Sequence, residues 1–228
     1  MKKLGLTNNQ LKLIAMLTMT IDHVGMLLLP ACLLLRLIGR LAFPVFAYMV
    51  AEGCRYTRSL PKYLVSMASV ALVCQVVSFF ATGSVAQCIL VTFSLSVLLI
   101  ILLRKAREEK TVFFWVLFSL ALCMVLAVTE FVPQWLPGTD FSVDYGFIGA
   151  IFPVCVYAAN TKGKRLAASA VCLSLLASYS WPGQWTALLA VPLLALYNEK
   201  RGKWKMKWLF YLYYPFHLAV IWAVSFLL

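Results

Sequence analysis

Charge is what this chain has least of. Lys, Arg, Asp and Glu together make up 12% of its residues, about half of what a soluble globular domain carries. Acidic residues are the scarcer kind, 8 against 20 basic ones, which leaves a net charge of +12. With 63% hydrophobic residues and a mean hydropathy of +0.90, this excludes an ordinary soluble domain. It points to an all-α, polytopic membrane helix bundle forming a single domain over residues 1–228. CxxC pairs are missing as well. The seven cysteines (Cys32, Cys54, Cys74, Cys88, Cys123, Cys155 and Cys172) stand singly, most of them in apolar spans. That excludes a zinc motif or a disulfide framework and leaves small core hydrophobes. Cys32 and Cys88, on loops assigned to one side of the membrane, are the pair that could join. No metal is expected. Internal repeats, low-complexity tracts and a soluble domain are also absent. No basic stripe accompanies a soluble fold, so the basic excess does not indicate nucleic-acid binding. Attraction to anionic lipid heads or to an anionic cofactor remains open. The apolar run from Leu11 carries Asp22 and His23, with no small-residue cleavage site before another domain, so no cleaved signal peptide is expected.

What the chain has in abundance is apolar spans. Nine helices are expected, at about 9–29, 37–57, 62–80, 86–103, 111–130, 144–160, 165–180, 184–198 and 207–228. Lys and Arg fall in alternate connections: before the first helix, then after the second, fourth, sixth and eighth. Arg36 is the exception. The positive-inside rule then puts the N-terminus in the cytoplasm and the C-terminus outside; the expected location is the cytoplasmic (inner) membrane, crossed several times.

The first span carries Lys12, Asp22 and His23. Eleven residues at 100° each return a side chain to within about 20° of its starting direction, so Lys12 and His23 share a face roughly 16 Å apart along the axis. Charges within an apolar span are costly and need partners or a wet cavity. Orientation sorts them into two layers. Asp22, His23 and Arg40 form the outer one. Lys12 and Glu52 form the inner one, with Arg55 and Tyr56 close by. Antiparallel first and second helices let each layer meet. In Gly39-Arg40-Leu41-Ala42-Phe43-Pro44, Gly39 permits close approach and Pro44 frees the carbonyl of Arg40, opening a kink. The bland alternative is a kinked core helix with an Arg40–Asp22 ion pair. His217, beside Tyr214 in the last span, is a further candidate for substrate contact. So are Asp144 and Tyr145, which with Glu130 and Asp140 make one outer loop acidic; that loop receives a cationic amine or is a solvated lip. Gln75 reads as structural.

A histidine oriented by a carboxylate can take a proton from an amine or hydroxyl nucleophile. Arg40 could hold that carboxylate or stabilise negative charge on a carbonyl oxygen. The Lys12–His23 separation suits a long thin cofactor arm such as coenzyme A. A small proton-coupled transporter using Asp22, His23 and Glu52 fits the same charges, and a non-catalytic assembly factor is a third reading.

The run Leu11-Lys12-x-Ile14-Ala15-x-x-x-Met19-x-Ile21-Asp22-His23 is followed by Gly39-Arg40-x-Ala42-Phe43-Pro44-x-Phe46-Ala47. After it come Glu52-Gly53-x-x-Tyr56-Thr57-Arg58, Lys62-Tyr63 and Asp144-Tyr145-Gly146-x-x-Gly149. Together these resemble the TraX family, most strongly over residues 10 to 80. TraX proteins are membrane proteins associated with N-terminal acetylation of conjugative pilin. They are remotely similar to the membrane acyltransferases that include the acyltransferase-3 enzymes and heparan-α-glucosaminide N-acetyltransferase. Those enzymes show an arginine eleven residues before a histidine in the first helix. Here Lys12 and His23 stand in those places, and lysine lacks the planar fork of arginine. The resemblance implies acetyl-CoA as a cytoplasmic donor and transfer to an amine-bearing acceptor, such as a pilin-like peptide, within or across the membrane. It implies His23, Asp22 and Arg40 as catalytic residues, with Lys12, Arg55, Arg58 and Glu52 on the cofactor side.

Overall fold

The computed structural model describes residues 5–202, 207–225 and 227. Among these the fold is all-α, and two isolated bridges, Leu6 with Tyr197 and Gln87 with Val143, tie loops together. The order begins α1 (Asn8–Leu27), α2 (Leu33–Gly39), α3 (Ala42–Tyr56), α4 (Leu60–Thr82), α5 (Ile89–Glu109) and α6 (Val112–Leu126). A π-helical turn, Ala127–Phe131, leads into α7 (Val132–Trp135), α8 (Gly146–Ala158) and α9 (Lys162–Tyr179). A 3-10 segment, Pro182–Leu189, precedes α10 (Ala190–Ala195), and α11 (Lys207–Ser225) closes the order.

Each expected span coincides with a helix or a helical pair. Four stretches are long and apolar enough to cross a membrane: Leu33–Tyr56, Leu60–Thr82, Ile89–Glu109 and Val112–Trp135. The expected count of nine crossings therefore rests, for the remainder, on shorter or more polar segments. α1 is among the more polar ones, because Lys12, Asp22 and His23 interrupt it. All seven cysteines are free thiols, Cys32 and Cys88 included.

Local chemistry explains the ends that matter. Thr7 and Gln10 form a reciprocal capping box at the start of α1. The expected single helix over 37–57 is divided at Arg40 and Leu41. Pro44 has no N–H to donate to the carbonyl of Arg40, and its ring crowds that turn. Leu41 N–H bonds instead to the carbonyl of Ile38 at 3.2 Å, and a new helix begins with Pro44 in its first turn, where proline is tolerated.

By contacts the chain divides into two units within α3. One is Met1–Met49 with Leu166–Leu228; the other is Val50–Arg165. In the first, α1 packs on α2 and on α11, and α2 packs on the 3-10 segment. In the second, α5 is central and packs on α4, α6 and α8.

Candidate functional site

The polar cluster of the first unit is built on α1 and α2. Asp22 receives Arg36 Nη1 at 2.8 Å on Oδ2, and Arg40 Nη2 at 2.8 and 2.9 Å on its two oxygens. Arg36 Nη1 also donates to the backbone carbonyl of Asp22 at 3.2 Å. Arg36 and Arg40 are four residues apart, so α2 and its C-cap present both to one partner. Gly39 makes this possible: a Cβ there would lie 2.2 Å from Asp22 Cβ and 2.3 Å from Oδ1. Arg40 Nη1 donates to Gln184 Oε1 at 3.3 Å, which turns the Gln184 amide nitrogen away. That Nε2 is buried and has no hydrogen-bond partner among the described residues.

The second feature is a histidine pair. His23 Nδ1 lies 2.9 Å from the Met19 carbonyl and 3.2 Å from His217 Nε2. His217 Nδ1 lies 2.9 Å from the Tyr213 carbonyl. Carbonyls only accept, so in the neutral pair both Nδ1 atoms carry the proton. His217 Nε2 is then a bare acceptor for His23 Nδ1–H, and His23 Nε2 keeps its lone pair. The Tyr213 ring stacks on His217 at 5.0 Å, and Tyr214 meets it edge-on at 5.6 Å. The Tyr213 hydroxyl bonds to Thr20, fastening α11 to α1.

Asp22, His23 and Arg40 thus lie in one unit, as expected of the outer layer. The His23 ring bonds to Met19 and His217, while the carboxylate of Asp22 bonds to the two arginines. Of the two roles considered for Asp22, orienter or ion-pair partner, the geometry is that of the ion-pair partner. Lys12 lies in the same unit, within the electrostatic reach of Arg201.

The inner-layer residues Glu52 and Arg55 belong to the second unit. Glu52 is fully buried and receives Arg165 Nη1 at 2.7 Å, with Arg55 Nε at 3.5 Å. Arg55 Nη2 sits 2.6 to 2.7 Å from the carbonyls of Val156, Tyr157 and Ala159, at the negative end of α8. Arg58 is exposed beyond the end of α3. At the other end of α8, Glu130 Oε1 accepts from Phe147 N at 2.8 Å. Gly146, at φ +54°, leaves room for that carboxylate, since a Cβ would lie 2.7 Å from it. Asp140 accepts from the Ser84 hydroxyl and from Val85 N. Of the acidic loop, Glu130 and Asp140 therefore serve as caps and ties. Asp144 is exposed and Tyr145 half-buried at the entry to α8. Gln75 is structural, bridging Ala86 and Cys88.

Sequence reasoning missed Arg36, Arg165, Gln184 and Tyr213. The spacing of four between Arg36 and Arg40 was a signal, obscured by starting the second helix at 37. Nothing in the sequence separates the buried Arg165 from the neighbouring loop lysines.

A charged, histidine-bearing cluster within apolar helices defines an all-α membrane protein with a polar site. The family model described as "TraX protein" matches residues 7–225, and the chain belongs to the TraX family. A curated relative, "Uncharacterized protein RP591" of Rickettsia prowazekii (strain Madrid E), is 50% identical over 44 residues, which is 18% of each chain. The chain thus spans under a fifth of that relative's length. No solved structure matches.

Proposed function

We propose that the chain is a multi-pass inner-membrane acyltransferase that moves an acetyl group from cytoplasmic acetyl-CoA to an amine, such as the N-terminus of a pilin-like peptide. The observation that carries this reading is the bare Nε2 of His23 beside a net-cationic cluster. A lone pair held in place by a carbonyl on the opposite ring nitrogen is what a general base needs. His23 takes the proton of the attacking nitrogen. Arg36, Arg40 and Asp22 form a fixed ionic frame that leaves Gln184 Nε2 as a donor without a partner among the described residues. A buried unpaired N–H costs about 1–3 kcal/mol, and the acyl carbonyl oxygen is an acceptor that would recover it. Lys12 faces the phosphates of the donor, and Arg58, exposed beyond α3 in the second unit, is a separate candidate for phosphate contact. Glu52 and Arg55 are tied to Arg165 and to α8, so they support that side rather than grip the cofactor. Tyr214 in the first unit and, separately, Asp144 and Tyr145 in the second remain candidates for acceptor contact, whereas His217 is turned to His23.

The test is saturable binding of acetyl-CoA to the purified protein in detergent, with desulfo-CoA as competitor, followed by transfer to a peptide amine. Lys12→Ala is expected to weaken binding, and His23→Ala to abolish transfer while leaving the protein folded. No binding by folded wild-type protein would overturn the reading and favour proton-coupled transport, read out as pH-driven flux in vesicles.

A further inference from the structure

The chain has two histidines, and folding brings them from 194 positions apart to 3.2 Å. Resting on the acyltransferase reading, we propose that His217 is the positioning residue of the His23 base: its bare Nε2 accepts the His23 Nδ1–H and compensates the charge His23 gains.

His23 follows Asp22 directly in α1. Its neighbour Asp22 is the obvious counter-ion, but both oxygens of that carboxylate are engaged by Arg36 and Arg40. Two guanidiniums against one carboxylate leave the cluster with a positive charge, which opposes an imidazolium beside it. Compensation must then come from neutral acceptors. Two face His23 Nδ1: the Met19 carbonyl, on its own helix, and His217 Nε2, on α11. His217 is fit for this only while its own proton stays on Nδ1, and the Tyr213 carbonyl at 2.9 Å holds it there. A doubly protonated His217 would set N–H against N–H. His217 is 5% exposed, and its ring is held by those of Tyr213 and Tyr214. The pair is therefore built to take one proton, at His23 Nε2.

The step balances. The acceptor nitrogen bonds to the acetyl carbonyl carbon and the carbon–sulfur bond breaks. The proton leaving nitrogen passes to His23 Nε2 and from there to the departing sulfur. Amine and thioester become amide and thiol, and His23 and His217 return to their starting tautomers.

The experiment uses the full chain in liposomes, with acetyl-CoA and a short peptide bearing a free N-terminal amine. His217→Leu is expected to lower kcat by about tenfold or more with KM for acetyl-CoA unchanged. His217→Gln, whose Oε1 can take the place of Nε2 as acceptor, is expected to recover much of the loss. Unchanged kcat in a folded His217→Leu variant overturns the inference, as does a folded His217→Gln no better than His217→Leu. If His23→Ala is inactive in the same assay, the acyltransferase reading stands without it; a fully active His23→Ala removes the reading itself. ¹⁵N NMR of histidine-labelled wild type tests the geometry without turnover. Both neutral rings are expected to be protonated on Nδ1 and bare on Nε2, and a neutral His23 protonated on Nε2 overturns the inference.

Discussion

Gly39 is the residue on which the arginine–aspartate cluster depends. A methyl group there would overlap the Asp22 side chain, and neither the helix backbone nor a carboxylate held by two guanidiniums can easily give way. Gly39→Ala should cost about 1–3 kcal/mol through overpacking, read as a lowered melting temperature in detergent; an unshifted melt would mean that the helices separate freely. Glu52 and Arg165 pose the opposite problem. Both are buried, and removing Arg165 takes from Glu52 its 2.7 Å partner and leaves Arg55 Nε at 3.5 Å. Arg165→Ala is expected to cost about 3–5 kcal/mol, whereas Glu52 and Arg165 replaced together by apolar residues of similar volume should cost far less. A double variant as unstable as the single one would argue against the pair as the source. Of the outer cluster, Asp22, His23 and Arg40 were legible in the sequence, because ionisable residues stand out against an apolar background. Arg36 was not, because a residue at a span edge reads as a topological signal until the partner it folds against is known.

α8 is an element held at both ends by side chains from other elements. Glu130 accepts the Phe147 N–H in its first turn and Arg55 meets its C-terminal carbonyls, in the sense the helix dipole favours. The π-helical turn at Ala127–Phe131 positions Glu130 for this, and such turns recur at functional sites. Outside the spans, Asp140, just after the Leu136–Thr139 turn, ties the connection before α8 to the loop after α4. The Ser84 hydroxyl, and after it the Val85 N–H, holds the Asp140 carboxyl below its usual range. A depressed folded value means that the tie is complete above the ordinary carboxylate pKa, about 3.9, and is lost as pH falls through the folded one. Hydrogen exchange at Val85 N–H should be protected at neutral pH and lose that protection, beyond the intrinsic pH trend, only in strong acid. Protection independent of pH would place the tie elsewhere. Helix positions were legible from apolar runs between basic loops, but the division of the second span was expected only as a kink. The strength of a proline break depends on what the freed carbonyl and its neighbours find, which is a tertiary matter.

For the whole molecule, the alternation of basic loops gives the proposed orientation a direct test. Cys32 is exposed in the connection before α2, which the positive-inside rule assigns to the outer face. In a Cys88→Ser background, which removes the half-buried thiol assigned to the same face, a membrane-impermeant maleimide applied to intact cells should label the chain at Cys32 and lose that label in the Cys32→Ser, Cys88→Ser double variant. Labelling only after the cells are opened would invert the topology, and with it the side from which acetyl-CoA would arrive.

Sequence alone determined that this is an all-α membrane protein, where most helices lie and that α1 carries the costly charges. Those properties follow from residue types and their period, and burial in lipid penalises every exception to them. Only the tertiary structure decided which charge answers which. It paired Asp22 with two arginines, gave Glu52 to Arg165 and set His217 against His23. A buried charge or ring nitrogen takes whichever complementary group the packing brings within hydrogen-bond reach, and 194 residues of intervening chain carry no local signal of that encounter.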